Sequence, residues 1–439
     1  MMFRMQPGVF ALALAGTLAA PLGAQGTTVP ISLPAALARG RSNGVQAALA
    51  HLAAQGSALR HDELGAALRP QLDGSGTVQR QTVNLREFGL SIPGFPAVTD
   101  PFTLFRARLG ASQVLFDRAT VERLRSARDT AIAAGLDAER AGDLAATAAG
   151  AAWLRLASAQ ETVTAREQDS VTAFALRDVA RSLVEAGSAP RIDRTRSETQ
   201  AAAVLLRIAV ARNERDRARL DLARAVDLPP GTPLVVAADV AWSSDSLPTD
   251  VNAAVAVAES HRADLAAERA RQTVLERNLS AIRGELLPTV AATGYLQTSG
   301  VQLADLAGTW NIGVGFSWSI LDGARRARRV DEQRLRIDAG KLRLHDLEAG
   351  IESEVRQAAL DLASSRDQLA LANDGVRLAE QELSEARERF SAGVAGSVET
   401  TNAQAELAAA RDALIQARLS AGAAQINAAR ALGLLNNVH

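Results

Sequence analysis

Five histidines, at His51, His61, His261, His345 and His439, are the residues of this 439-residue chain best suited to metal or proton chemistry. None forms a ligand pair on one helix face. His61-Asp62-Glu63 sets three ligand types in a row, but consecutive residues point in different directions from a helix, so the run reads as a solvated helical segment instead of a metal site. The chain has no cysteine, which removes disulfides, thiolate ligands, a Cys nucleophile and a lipid-anchoring cysteine. No phosphate loop, nucleophile elbow or HExxH pattern occurs, and Gly313-Val314-Gly315 is strand alternation, not a dinucleotide turn. No catalytic, cofactor-binding or metal-binding residue is therefore expected, and an enzyme is not. Lys and Arg total 48 against 49 Asp and Glu, a formal charge of -1; that balance lacks the clustered basic excess of a nucleic-acid surface.

With catalysis set aside, the elements themselves carry the information. Residues 1–26 read as a secretory signal. Arg4 is the positive head, Val9 to Ala20 an apolar run, and Gly23, Ala24 and Gly26 suit a cleavage site. The alternative is an N-terminal anchor, for which that run is too short to span about 30 Å of hydrocarbon. Beyond it no run of about 18 apolar residues exists, so no helical membrane span is expected.

The rest of the chain is an internal duplication. Leu68-Arg69-Pro70-Gln71-Leu72 returns as Leu286-Leu287-Pro288-Thr289-Val290, and Val114-Leu115-Phe116-Asp117-Arg118-Ala119 returns as Ser319-Ile320-Leu321-Asp322-Gly323-Ala324. Pro70 and Pro288 are 218 apart, whereas Asp117 and Asp322 are 205 apart, so the first copy holds extra residues between positions 80 and 105. Residues 27–228 form one repeat, 250–439 the other, and 229–249, rich in Pro, Ser and Gly, the crossover, with a short strand at Pro233 to Val236. Repeats of this kind usually cannot bury their apolar faces alone.

Four segments, at about 70–82, 104–116, 288–299 and 309–321, alternate with period two. Leu72, Gly74, Gly76 and Val78 share one face, with Gln71, Asp73, Ser75, Thr77 and Gln79 on the other. The second segment sets Phe105, Ala107, Leu109, Ala111 and Leu115 together. In the second copy Val290, Ala292, Gly294 and Leu296, then Trp310, Ile312, Val314, Phe316, Trp318 and Ile320, keep the same parity. About ten residues is what a tilted strand needs to cross a bilayer. Nine of the thirteen aromatic residues beyond the signal lie between Phe88 and Phe116 or Tyr295 and Trp318, as rings at membrane interfaces would. A soluble sandwich with one wet face is the other reading of the same alternation.

Proline-free stretches rich in Ala, Leu, Arg and Glu predict long helices from Ala119 to about Glu185 and from about Ala324 to Phe390. Each is followed by a shorter helix, about Arg191 to Asp227 and Ser397 to Leu434, after a glycine-bearing break. The last helix carries one seam through Thr400, Ala403, Leu407, Ala410, Leu414, Ala417, Ala421, Ala424, Ala428 and Ala431, and another through Ala405, Ala408, Asp412, Ile415, Leu419, Gly422, Ile426 and Ala429. Two residues of offset turn about 200° round a helix, so the seams are nearly opposed and predict a neighbour on each side.

Four strands cannot close a barrel, and a membrane tolerates no open sheet edge. Three pooled chains would give twelve strands, with Leu, Val, Trp and Phe towards lipid and Gln, Ser, Thr and Asn towards a wet lumen. The fold class expected is mainly α with β-barrel strands. With its twofold repeat, the strand ends Gln113 to Asp117 and Ser317 to Gly323, the run Arg389-Phe390-Ser391-Ala392-Gly393, Asn402-Ala403-Gln404 and the closing Ala431-Leu432-Gly433, the chain resembles the TolC family of outer-membrane efflux channels.

That resemblance implies a homotrimer in the outer membrane of a Gram-negative type bacterium, with its helical hairpins forming a periplasmic tunnel. It also implies a periplasmic adaptor and an inner-membrane transporter as partners, in tripartite efflux or type I secretion. The different-class alternative is a soluble periplasmic coiled-coil scaffold without a pore. Carried over by position, the adaptor-docking tips fall on Gly187, Ser188 and Ala189 with Gly393, Val394 and Ala395, and the acidic aperture positions on Asp193 and Glu399. The chain departs from the family pattern at the next ring position, where it has Asn402, with Arg196 as its repeat partner. Asp193 has a second reading as a carboxylate stabilised by the start of its helix.

Overall fold

The structure, a computed structural model, describes residues 29–89, 93–94, 96–236 and 250–435. The signal at 1–26 and most of the crossover lie outside the described residues. In chain order the elements are β1 (Val29–Ile31), α1 (Leu33–Asn43), α2 (Val45–Ala66), β2 (Gln71–Gln81), β3 (Phe102–Phe116), α3 (Arg118–Glu185), α4 (Arg191–Ala225), β4 (Leu234–Val236), α5 (Val251–His261), α6 (Ala263–Gly284), β5 (Thr289–Gly300), β6 (Ala307–Ser317), α7 (Arg325–Ser391) and α8 (Ser397–Leu432). Each copy thus runs short helix, longer helix, hairpin, very long helix, long helix.

The extra residues of the first copy lie between β2 and β3. That loop spans 82–101, with a 3-10 turn at Leu85–Phe88, where β5 and β6 are joined by 301–306 alone. Strand β4 stands where a strand was expected, and β1 supplies its parallel partner, Val29 opposite Leu234 and Ile31 opposite Val236.

Helix α8 lies between α7 and α3. Its first seam packs on α7, Ala403 and Leu407 against Ala379, Leu383 and Ala386, and higher up Ala424 and Ala428 near Ile351 and Val355. Its second seam faces α3, with Ile426 and Ala429 in one cluster with Trp153, Leu154 and Leu156. Alanine at these sites lets the axes approach closely. The four long helices form one layer in the order α4, α3, α8, α7.

Charged groups tie the shorter helices to this layer. Arg262 bonds both carboxylate oxygens of Asp264 (3.0 and 2.7 Å) and reaches Glu354 of α7 at 2.6 Å. Glu354 also lies 3.5 Å from Arg430 of α8. Burial pushes the Asp264 carboxyl up, but the Arg262 guanidinium and the Leu265 N–H outweigh it, and the group sits below its ordinary 3.8. A depressed carboxylate stabilises the fold fully above its unfolded pKa and loses that contribution as pH falls through the folded one. Melting temperature should therefore hold steady down to about pH 4 and then fall. In Asp264→Asn the protein should melt lower at neutral pH and show a shallower acid decline; an acid decline as steep as wild type would remove Asp264 from this role.

Candidate functional site

Strands β2, β3, β5 and β6 make one antiparallel sheet in that order. Directly opposed residues share a face, so the pairings fix both faces across the whole sheet. Leu72 opposes Ala111, Val78 opposes Phe105 and Leu109 opposes Leu296. Leu296 in turn opposes Trp310, and Gly294, Ala292 and Val290 oppose Ile312, Val314 and Phe316. The apolar parity read from each segment thus becomes one predominantly apolar surface.

Nothing among the described residues covers it. Trp310, Ile312, Val314 and Phe316 are 73%, 80%, 69% and 79% exposed, and Leu72, Val78 and Leu109 are exposed as well. A sandwich would bury these side chains. The other face carries Gln71, Asp73, Ser75, Thr77 and Gln79 beside Arg106, Arg108, Gln297, Thr309 and Asn311.

Three of the apolar residues named from the sequence sit differently from the expectation. A bulge between Val114 and Phe116 makes Leu115 the extra residue, and Phe116 takes the place opposite Val290 on the apolar face. Strand β6 stops at Ser317, which pairs with Thr289, because Pro288 before it has no N–H to extend the ladder. Trp318 and Ile320 therefore lie beyond the strand. The Trp318 indole N–H donates to the Leu286 carbonyl at 2.9 Å, which aims the ring by a polar contact that alternation does not encode.

At the far end of the helices the two tips are built alike. The Gly187 N–H donates to the Val184 carbonyl and the Ser188 N–H to Leu183; the Gly393 and Val394 N–H groups do the same to Phe390 and Arg389. Both glycines are left-handed, φ +74° and +72°, as this helix-ending motif requires. Ser188, Ala189, Val394 and Ala395 complete the two turns.

The residues just past the tips part company. Asp193 is 4% exposed, and its Oδ1 accepts a 2.5 Å bond from the Ser397 hydroxyl across the two hairpins. Arg196, itself exposed, comes within 3.8 Å of the same oxygen. Glu399 is exposed and pairs with Arg389 of its own hairpin at 2.9 Å; Asn402 is exposed. The reason lies in register: Asp193, Ser197, Ala201 and Val204 form the buried stripe of α4, whereas the stripe of α8 runs through Ser397, Thr400 and Ala403 and leaves 399 and 402 outside. Ser397, 1% exposed, was not singled out by the sequence, and its repeat counterpart is the exposed Arg191. Phe390, also buried, packs on Leu176 and Ala180 of α3 and joins the hairpins a turn away.

Among the described residues no helix is long and apolar enough to cross a membrane. Residues 254–434 match the family described as "Outer membrane efflux protein", and this match spans nearly all of the second repeat.

The second half of the chain is thus similar to the outer membrane efflux protein family. The chain's curated relatives include the outer membrane efflux protein BepC of Brucella suis biovar 1 (strain 1330), 23% identical over 361 residues, covering 80% of this chain and 74% of that one. Among solved structures the efflux-family fold is shared with the CmeC outer membrane channel of Campylobacter jejuni, at 17% identity and TM-score 0.79 over 92% of this chain and 86% of that one. It is shared equally with the open state of the MtrE outer membrane channel of Neisseria gonorrhoeae, at 19% identity and TM-score 0.77 over 93% and 90%. Among the described residues this TolC-like fold consists of long helical hairpins plus a four-stranded sheet.

Proposed function

We propose that the chain forms a trimeric exit duct in the outer membrane, passively conducting substrates handed over by a periplasmic adaptor and an inner-membrane transporter. The observation that carries this reading is the sheet that is exposed and apolar on one side, polar on the other, and unpaired at β2 and β6. Unpaired backbone groups in hydrocarbon cost several kcal/mol each, so these edges need partner edges from other copies. The ends of the helical layer make the same demand. Leu206, Val210 and Leu220 on α4, and Leu335, Leu342, Leu360 and Leu371 on α7, are exposed at opposite edges of the layer. A head-to-tail contact of α4 with the next copy's α7 closes a ring, and three copies bring twelve strands and a continuous helical wall.

The duct reading assigns lipid to Phe105, Leu109, Trp310, Ile312, Val314 and Phe316, with Trp318 and the bulged Leu115 near the periplasmic border. It assigns adaptor docking to the two glycine turns. Recovery from outer-membrane fractions as a heat-modifiable, detergent-resistant trimer that conducts in planar bilayers is the expected result. A monomer confined to the soluble periplasm would sink the reading.

Within this duct, Asp193 and Ser397 act as a latch that holds the two tips together, and opening must break it. A hydrogen bond to a charged group contributes about 1.5–3 kcal/mol, whereas an exposed ion pair such as Glu399 with Arg389 contributes about 0–1 kcal/mol. Ser397→Ala and Asp193→Ala should therefore raise mean single-channel conductance strongly, and Glu399→Ala only weakly. Unchanged conductance in both latch variants would take Asp193 and Ser397 out of the constriction.

A further inference from the structure

Most arginines of the helical layer are spent on carboxylates of the same chain, as in Arg166 with Asp412, Arg271 with Asp137 and Arg329 with Glu285. Two on the polar face of the sheet are not. Arg106 and Arg108 stand exposed on the polar face of β3, and no carboxylate among the described residues pairs with either. The one carboxylate on that face within the strands is Asp73, opposite Gly110. It lies along the sheet over that glycine, where a side-chain carbon at 110 would fall 2.7 Å from its Oδ1.

The position of Arg108 is built, not incidental. Its guanidinium lies 3.9 Å from the centre of the Tyr295 ring. Tyr295 is opposite the same Gly110, two residues along from Gln297, the residue opposite Arg108. Glycine at 110 leaves room for the Asp73 carboxylate beside this stack. Stacking on a ring holds an arginine flat while leaving its N–H edge free to donate, and a flat guanidinium binds carboxylates through two parallel bonds.

We infer that Arg106 and Arg108, with Tyr295 as the platform of Arg108, form an anion-selecting belt inside the barrel that favours carboxylate-bearing substrates. The inference rests on the exit-duct reading, which places this face in the lumen. Two arginines and one aspartate per chain give each of three copies an excess positive charge at one level of a narrow, lipid-jacketed passage. Low-dielectric walls focus such a field, and arginine rings are how anion pores select. The tips cannot do this work, since Asp193 is buried and Glu399 is paired.

The test is the reversal potential of the full-length trimer in a potassium chloride gradient across a planar bilayer. Arg106→Gln with Arg108→Gln should lower the chloride-to-potassium permeability ratio about tenfold. Arg106→Lys with Arg108→Lys should keep the wild-type ratio while weakening block by sodium benzoate. In the wild-type protein itself, benzoate added from the barrel side should reduce potassium chloride conductance in a voltage-dependent way. A conducting Gln variant with an unchanged reversal potential, or a wild-type channel indifferent to benzoate, overturns the belt and leaves the duct standing. A trimer that never conducts overturns the duct reading and the belt with it.

Discussion

Val314→Arg should abolish the detergent-resistant trimer in outer-membrane fractions. Val314 lies mid-strand in β6, opposite Ala292, between Ile312 and Phe316 on the apolar face, and is 69% exposed. An arginine on the lipid face near the bilayer midplane costs about 2–4 kcal/mol. Three copies carry that cost together, about 6–12 kcal/mol per assembly, which is comparable to the whole stability of many folded proteins. Asn311→Arg is the matching control. It adds the same charge to the same strand but on the polar face, and should leave trimer yield near wild type. Equal yields of the two variants would mean that the apolar face does not meet lipid.

The second large effect lies in the helical layer. Trp153 of α3 is 1% exposed, packs with Leu37, Leu222 and Ile426, and donates its indole N–H to the Ile31 carbonyl at 2.8 Å. It therefore joins α1, α4, α8 and the β1–β4 ribbon at one point. Trp153→Ala should cost about 3–5 kcal/mol, because a long helical wall cannot collapse into the space. Trp153→Phe keeps most of the packing and loses the hydrogen bond, for about 1 kcal/mol. The dissociation temperature of the trimer on gels reads both. An Ala variant no less stable than the Phe variant would show that this cluster does not hold the wall together.

How much of this was legible in the chain depends on the range of the signal. The two seams of α8 could be counted residue by residue, and each found a helix, α7 on one side and α3 on the other. Strand parity was equally plain from Leu72 to Val78 and from Trp310 to Phe316, because alternation is local. The short paired helices α1 with α2 and α5 with α6 were not resolved as elements, since Gly44 and Arg262 are weak punctuation in otherwise helical sequence. Nor could the partner of β4 be read. Val29 to Ile31 is three residues long and pairs with a segment on the far side of the first repeat.

What the sequence determined by itself was the duplication, the hairpin helices and the alternating strands, all of which follow from periodicity along the chain. What only the tertiary structure decided was the fate of individual polar and boundary residues. Asp193 and Glu399 are counterparts in the repeat, yet one is buried against Ser397 and the other paired with Arg389 in solvent. Arg108 reads as one arginine among many until pairing lays it over Tyr295. Periodicity states which side of its own element a residue occupies; its partner across the fold depends on how separate elements are set against one another.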